Sequence, residues 1–185
     1  MYTMRLNNPQ EEGLYNLTEW LKPNLIALEI GSYAGESADI FLSSGKVRVL
    51  FCVDPWLEHY DSLDYASESN MELVESQFNE RMRKYNNFVK IKQKSENASN
   101  MFPNNFFDLI YIDGDHREEM FEKDVKLWLP KLKKDGWLSG HDLGHIPIMN
   151  VLDRNFKSRP NAAFKDGSWV YFNPHENFKN GDGGN

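Results

Sequence analysis

Leu28-Glu29-Ile30-Gly31-Ser32-Tyr33-Ala34-Gly35-Glu36-Ser37 decides the fold: it reads as a buried strand end, a glycine-bearing turn and the first turn of a helix. Leu25 to Ile30 is nearly continuous apolar sequence, as expected of a parallel strand covered on both faces, and Glu29 breaks that run at its carboxyl end. Gly31 and Gly35 permit backbone angles and close ligand approach that a Cβ would forbid, while Ser37 lies near the exposed amides of the following helix. A ligand is therefore expected above the strand end. A dinucleotide fingerprint needs a middle glycine where this chain has Tyr33, and Glu29 would repel phosphate. The turn suits a cationic or hydroxyl-bearing ligand instead of a pyrophosphate.

Working outward, Arg48-Val49-Leu50-Phe51-Cys52-Val53-Asp54 is a second apolar strand ending in a carboxylate, about 20 residues beyond the turn, where such folds place an acid on the ribose hydroxyls. Pro55 forces the chain out of the strand, and Trp56 offers either a flat face for an adenine or a hydrophobic plug at the sheet edge. A third strand-and-turn lies in Phe106-Phe107-Asp108-Leu109-Ile110-Tyr111-Ile112-Asp113-Gly114-Asp115-His116. After a helical stretch comes Lys134-Asp135-Gly136-Trp137-Leu138-Ser139-Gly140-His141-Asp142.

Taken together, these motifs resemble the class I S-adenosylmethionine-dependent methyltransferases. Glu-x-Gly-x-x-x-Gly is similar to their first motif. Asp-Leu-Ile-x-Ile-Asp-Gly-Asp-His, a helix and then His-Asp resembles a group that includes O-methyltransferases of sugars and other small molecules. The resemblance covers most of Leu25 to Leu143 in the correct order. Two positions depart from it: Asp135-Gly136 replaces a paired glycine, and Leu143 follows Asp142 where a polar or aromatic residue is usual, which counts against a complete metal site.

The resemblance implies an α/β, Rossmann-like fold with a mostly parallel seven-stranded sheet, an antiparallel last strand and helices on both faces. It implies S-adenosylmethionine as cofactor. Glu29, Gly31, Ser32, Tyr33, Gly35 and Ser37 would hold its methionine part, Asp54 the ribose, and Trp56, Ser95 and Glu96 the adenine, with Asp113 completing the set. The same resemblance puts a general base at Asp115 or His116, with His141 beside them, and offers Asp113, His141 and Asp142 as ligands for Mg2+ or another divalent cation. Each residue has a plainer reading as well. Ser95 can be a helix cap, Asp115 can cap the helix near Arg117, and His141-Asp142 can be a structural pair. His145 is a further acceptor-contact candidate.

Between the strands the pattern becomes helical. Leu14, Leu17 and Leu21 form a stripe before Pro23, a short helix runs to about Ser43, and Val74, Phe78, Met82 and Tyr85 predict a helix over Glu68 to Tyr85, followed by a strand at Phe88 to Lys92. Phe121, Val125, Trp128 and Leu132 form the next stripe, and Ile148, Val151, Leu152 and Phe156 another. Strands near Ala162 to Lys165 and Trp169 to Phe172 flank an Asp166-Gly167 hairpin signal. The segment from Trp56 to Ser67 is longer than a connection requires, and reads as a cover for the cofactor or as a surface loop.

The 185 residues carry a formal charge of −7, so no basic surface for nucleic acid or an anionic membrane is expected. Cys52 is the only cysteine, which excludes an intrachain disulfide. Met1 to Gln10 lacks the apolar core of a signal peptide, and no run reaches membrane-spanning length, so a cytoplasmic protein is expected. One domain over 1–178 and a disordered tail over 179–185 are anticipated. The functional expectation is transfer of a methyl group to a hydroxyl of a small acceptor, a sugar or glycan first. Alternatives are a phenolic metabolite, a catalytically silent cofactor- or partner-binding domain, and methylation of protein or RNA. The oligomeric state stays open, a homodimer being one option.

Overall fold

The computed structural model describes residues 13–179, so the anticipated tail lies almost wholly outside the described residues. Seven strands form one sheet: β1 (Leu25–Ile30), β2 (Val47–Asp54), β3 (Phe88–Lys92), β4 (Phe107–Ile112), β5 (Leu132–Gly140), β6 (Ala162–Ala163) and β7 (Trp169–Phe172). Their order is β3-β2-β1-β4-β5-β7-β6, with the first five parallel and β7 antiparallel to both neighbours. The helices are α1 (Leu14–Trp20), α2 (Glu36–Ser43), α3 (Met71–Met82), α4 (Ser95–Ser99), α5 (Glu118–Trp128), α6 (Ile146–Asn155) and α7 (Pro174–Asn177). The expected Rossmann-like arrangement is what the chain adopts. Among the described residues, no helix is long and apolar enough to cross a membrane.

Two apolar layers cover the sheet because successive strand side chains point to opposite faces. On β4, Ile110 and Ile112 join Phe121, Val125 and Trp128 of α5, whereas Leu109 and Tyr111 join Phe41 of α2 and Phe78 of α3. Cys52 is buried in the second layer, and burial pushes its thiol well above the usual range, in keeping with inert packing.

Local chemistry trims several predicted boundaries. The Asn70 side chain accepts from Leu73 N at 2.9 Å and caps α3, so the expected helix from Glu68 starts at Met71, behind a 3-10 turn over Tyr65–Glu68. Leu132 leaves the helical stripe and opens β5, because a 3-10 turn at Leu129–Lys131, with Pro130 inside it, ends the helical run. The late hairpin forms about Asp166-Gly167, with Gly167 at φ 91, but its first strand shrinks to Ala162–Ala163.

Candidate active site

The parallel strands end at one edge of the sheet, and the strand order reverses between β1 and β4, which opens a crevice there. A cavity of about 500 Å3 occupies it. Gly31, at φ 84, begins its floor; a Cβ on Gly31 would stand 1.9 Å from the Asp113 carbonyl oxygen, so only glycine lets the two strand ends approach. Gly35, at φ 81, is the left-handed residue from which α2 starts. Ser32, Tyr33 and Ser37 line the cavity, but Gly35 does not.

Asp54 also lines it. Its Oδ2 accepts from Tyr33 N at 2.9 Å and its Oδ1 from Trp56 N at 2.6 Å. Burial raises its pKa against those bonds and a third from the Ser32 backbone, and two oxygens with about four acceptor sites leave room for a ligand hydroxyl. Ser95, Glu96 and Asp113 line the same space.

Two further residues expected at the cofactor, besides Gly35, lie elsewhere. Glu29 is fully buried under the turn and accepts from Ser32 Oγ at 2.6 Å, so it braces the turn from below and does not line the cavity. Trp56 is the plug, not a stacking face. Its indole is buried against Phe78, with ring centroids 5.1 Å apart; Nε1 donates to Tyr33 O at 2.9 Å, and Lys90 stands over the ring. Trp56 stands two residues beyond the end of β2, after Pro55, at a left-handed φ of 44.

The acids and imidazoles of β4 and β5 converge as expected, but with different parts. His116 is held between two carboxylates: Nδ1 and the backbone N both meet Asp61 Oδ2 at 2.7 Å, and Nε2 meets Asp142 Oδ2 at 2.7 Å. Burial would lower its pKa, but the bonds to Asp142 and Asp61 outweigh burial and raise it to about 11. Both ring nitrogens are therefore occupied by carboxylates, an arrangement that favours the protonated ring. Asp115 is buried, and its carboxylate takes the Arg117 backbone N at 3.0 Å and the Arg117 guanidinium through both oxygens.

His141 Nδ1 lies 3.2 Å from Asp142 Oδ2 and 3.7 Å from Asp113 Oδ1. Among the described residues, Asp113, His141 and Asp142 each bring one ligand atom to within 4.8 Å of the others, a spacing one cation can satisfy. Asp142 sits at φ 56, a left-handed position uncommon outside glycine, and its carbonyl accepts from His145 N at 2.8 Å. Burial pushes its carboxyl up, yet the bonds from His116 and His141 prevail and hold it well below the usual range.

Sequence reasoning missed Asp61 and Asp124. Asp61 lies in the loop between β2 and α3, in the segment read as a cover or a surface loop. Leu57, Tyr60, Asp61, Leu63 and Tyr65 of that loop all line the cavity, and Arg117 Nη2 reaches Tyr60 O at 3.2 Å, so the segment is a cover. Nothing local in Asp61-Ser62-Leu63 signals a bond to a residue 55 positions away. Asp124 is a buried acid on α5 that faces the cavity; its place four residues before Trp128 on an apolar stripe was the available sign.

A family model described as a methyltransferase domain matches residues 28–143. The chain belongs to that family. No curated protein matches the chain. Solved structures match at low identity and share the fold. A phosphoethanolamine N-methyltransferase of Haemonchus contortus, solved with phosphoethanolamine and S-adenosylhomocysteine, gives TM-score 0.51 at 12% identity over 69% of this chain. The YcgJ protein of Bacillus subtilis gives 0.50 at 23% over 76%, and a protein of Corynebacterium glutamicum gives 0.60 at 15% over 86% of this methyltransferase domain and 78% of its own chain. The domain spans only 24% of the Haemonchus chain and 57% of the Bacillus chain.

Proposed function

We propose that this methyltransferase domain transfers the methyl group of S-adenosylmethionine to a hydroxyl of a small acceptor, with a sugar or glycan hydroxyl as the first class to test. One observation carries the reading: a single cavity is lined both by the Gly31 turn with Asp54 and by Asp113, His141 and Asp142. The first group suits a nucleoside with an amino-acid tail, and the second suits the handling of a hydroxyl proton. The acceptor oxygen attacks the methyl carbon in line with the carbon–sulfur bond. That bond breaks with its electron pair staying on sulfur, and the product nucleoside is S-adenosylhomocysteine.

His141 takes the acceptor proton in this reading, with its Nδ1 side held toward Asp142. His116 and Asp61 keep Asp142 in place. The donor set of two carboxylates and one imidazole also fits a divalent cation. Held by Asp113, His141 and Asp142, such an ion would lower the pKa of a coordinated hydroxyl.

The net charge of −7 favours small acceptors over RNA. The test is formation of S-adenosylhomocysteine over a panel of sugars, glycosides and phenols, with magnesium and with chelator. Turnover of a hydroxylated member supports the reading, and dependence on magnesium assigns the trio to a cation. Turnover confined to amines, protein or RNA would contradict it.

A further inference from the structure

Asp124 has no part in the chemistry above, yet it is a largely buried acid, 6% exposed, on the wall of the cavity. Trp128 Nε1 donates to Ser95 Oγ at 2.7 Å, and Ser95 Oγ donates to Asp124 Oδ1. The indole thus fills the acceptor side of the hydroxyl and directs its proton to Asp124, which fixes the carboxylate. Oδ2 turns toward Gly114, 3.8 Å from where a Cβ on that glycine would stand. Among the described residues, no group donates to Oδ2. Burial lifts this carboxyl to about 7, against the bond from Ser95. This oxygen is not sealed in the core, so on a residue that lines the cavity its lone pairs are open to a donor on a ligand.

We infer that Asp124 is a specificity residue for the cofactor, its Oδ2 accepting a hydrogen bond from the 6-amino group of the adenine. This rests on the reading of the cavity as an S-adenosylmethionine site. With the ribose on Asp54 at the end of β2, a base directed toward the neighbouring β3 would meet Ser95, which follows the end of that strand and lines the same cavity. The bond to Ser95 puts Asp124 at the adenine end. Tyr60 stands close to Asp124, Asp115 and Glu96, whose charges, after burial, help to raise its phenol to about 12. A purine with an oxygen at position 6 would set that oxygen against the carboxylate.

The experiment is calorimetric titration of the domain, at about pH 8.5 where the Asp124 carboxyl is ionised, with S-adenosylhomocysteine and with its 6-oxo counterpart, S-inosylhomocysteine. The wild type should prefer the adenine nucleoside by about 10- to 100-fold, the range of one hydrogen bond to a charged group. Asp124→Asn, whose amide can face either purine, should reduce that preference to less than about 3-fold while retaining a cooperative thermal transition. Ser95→Ala, which leaves the carboxylate without its orienting donor, should reduce it partially. A wild-type preference below about 3-fold overturns the inference without recourse to any variant, and so does a preference unchanged in a folded Asp124→Asn. If neither nucleoside binds the folded wild type, the reading of the cavity itself fails and this inference falls with it.

Discussion

Asp61→Asn tests the clamp that ties the covering loop to the strand ends. In the folded protein the His116 imidazole is lifted from 6.5 to about 11. At about 1.4 kcal/mol per pH unit that corresponds to a ceiling of about 6 kcal/mol. The same two bonds also depress Asp61 and Asp142, so the three shifts describe one interaction and are not summed. Removing one partner of a buried charged pair costs about 3 kcal/mol, which is the loss expected for Asp61→Asn at pH 7. The folded His116 value lies above the unfolded one, so its contribution is whole below pH 6.5 and is lost as pH rises through about 11. Asp61 and Asp142 have the opposite sign: their contribution is present above the unfolded carboxylate range and lost as pH falls through their lowered values. Urea denaturation from pH 7 to 10, with NMR titration of the His116 ring, reads both effects. The wild type should lose about 1 kcal/mol per pH unit over that range from this group, and the variant less. A wild-type His116 that titrates near 6.5, or a variant equally stable at pH 7, would refute the reasoning.

Three further outcomes are expected. Gly31→Ala, whose added methyl meets the Asp113 carbonyl, should cost at least about 3 kcal/mol by chemical denaturation, and a neutral result would mean that the turn is not built as described. Asp54→Ala should weaken S-adenosylhomocysteine binding by about 30-fold and destabilise the fold by about 2 kcal/mol, since Tyr33 N and Trp56 N lose their acceptor; unchanged affinity would remove Asp54 from the ribose. Trp56→Phe should change cofactor affinity by less than about 3-fold while lowering the melting temperature, because the indole supports Tyr33 O from the core; a large affinity loss at normal stability would restore it as a stacking face.

The fold was legible because its signals are local. The strands β1, β2 and β4 are largely apolar runs that end at a turn, and the helices over 71–82, 118–128 and 146–155 each show a helical stripe. The five parallel strands therefore appear where the sequence places them, while the small discrepancies fall at ends decided by one cap or one proline, such as Asn70 and Pro130. Which acids share a cavity was partly legible too, since strand ends deliver Asp54, Asp113 and Asp142 to one edge. The state of each side chain was not. His116 looks like a neutral-pH base from its type alone, and is clamped because the end of β5 brings Asp142 to one ring nitrogen and a loop brings Asp61 from 55 positions away to the other. Glu29 and Trp56 carry the right residue types at the right spacing, yet both point beneath the cavity floor, and sequence spacing does not encode that orientation.

The central claim is that the cavity between the Gly31 turn and the β4 and β5 ends is an S-adenosylmethionine site. Calorimetric titration of the folded domain with S-adenosylmethionine and S-adenosylhomocysteine tests it most directly. The account predicts one site per chain with micromolar affinity for both. Absence of heat and of any thermal stabilisation, in a sample that melts cooperatively, would contradict it.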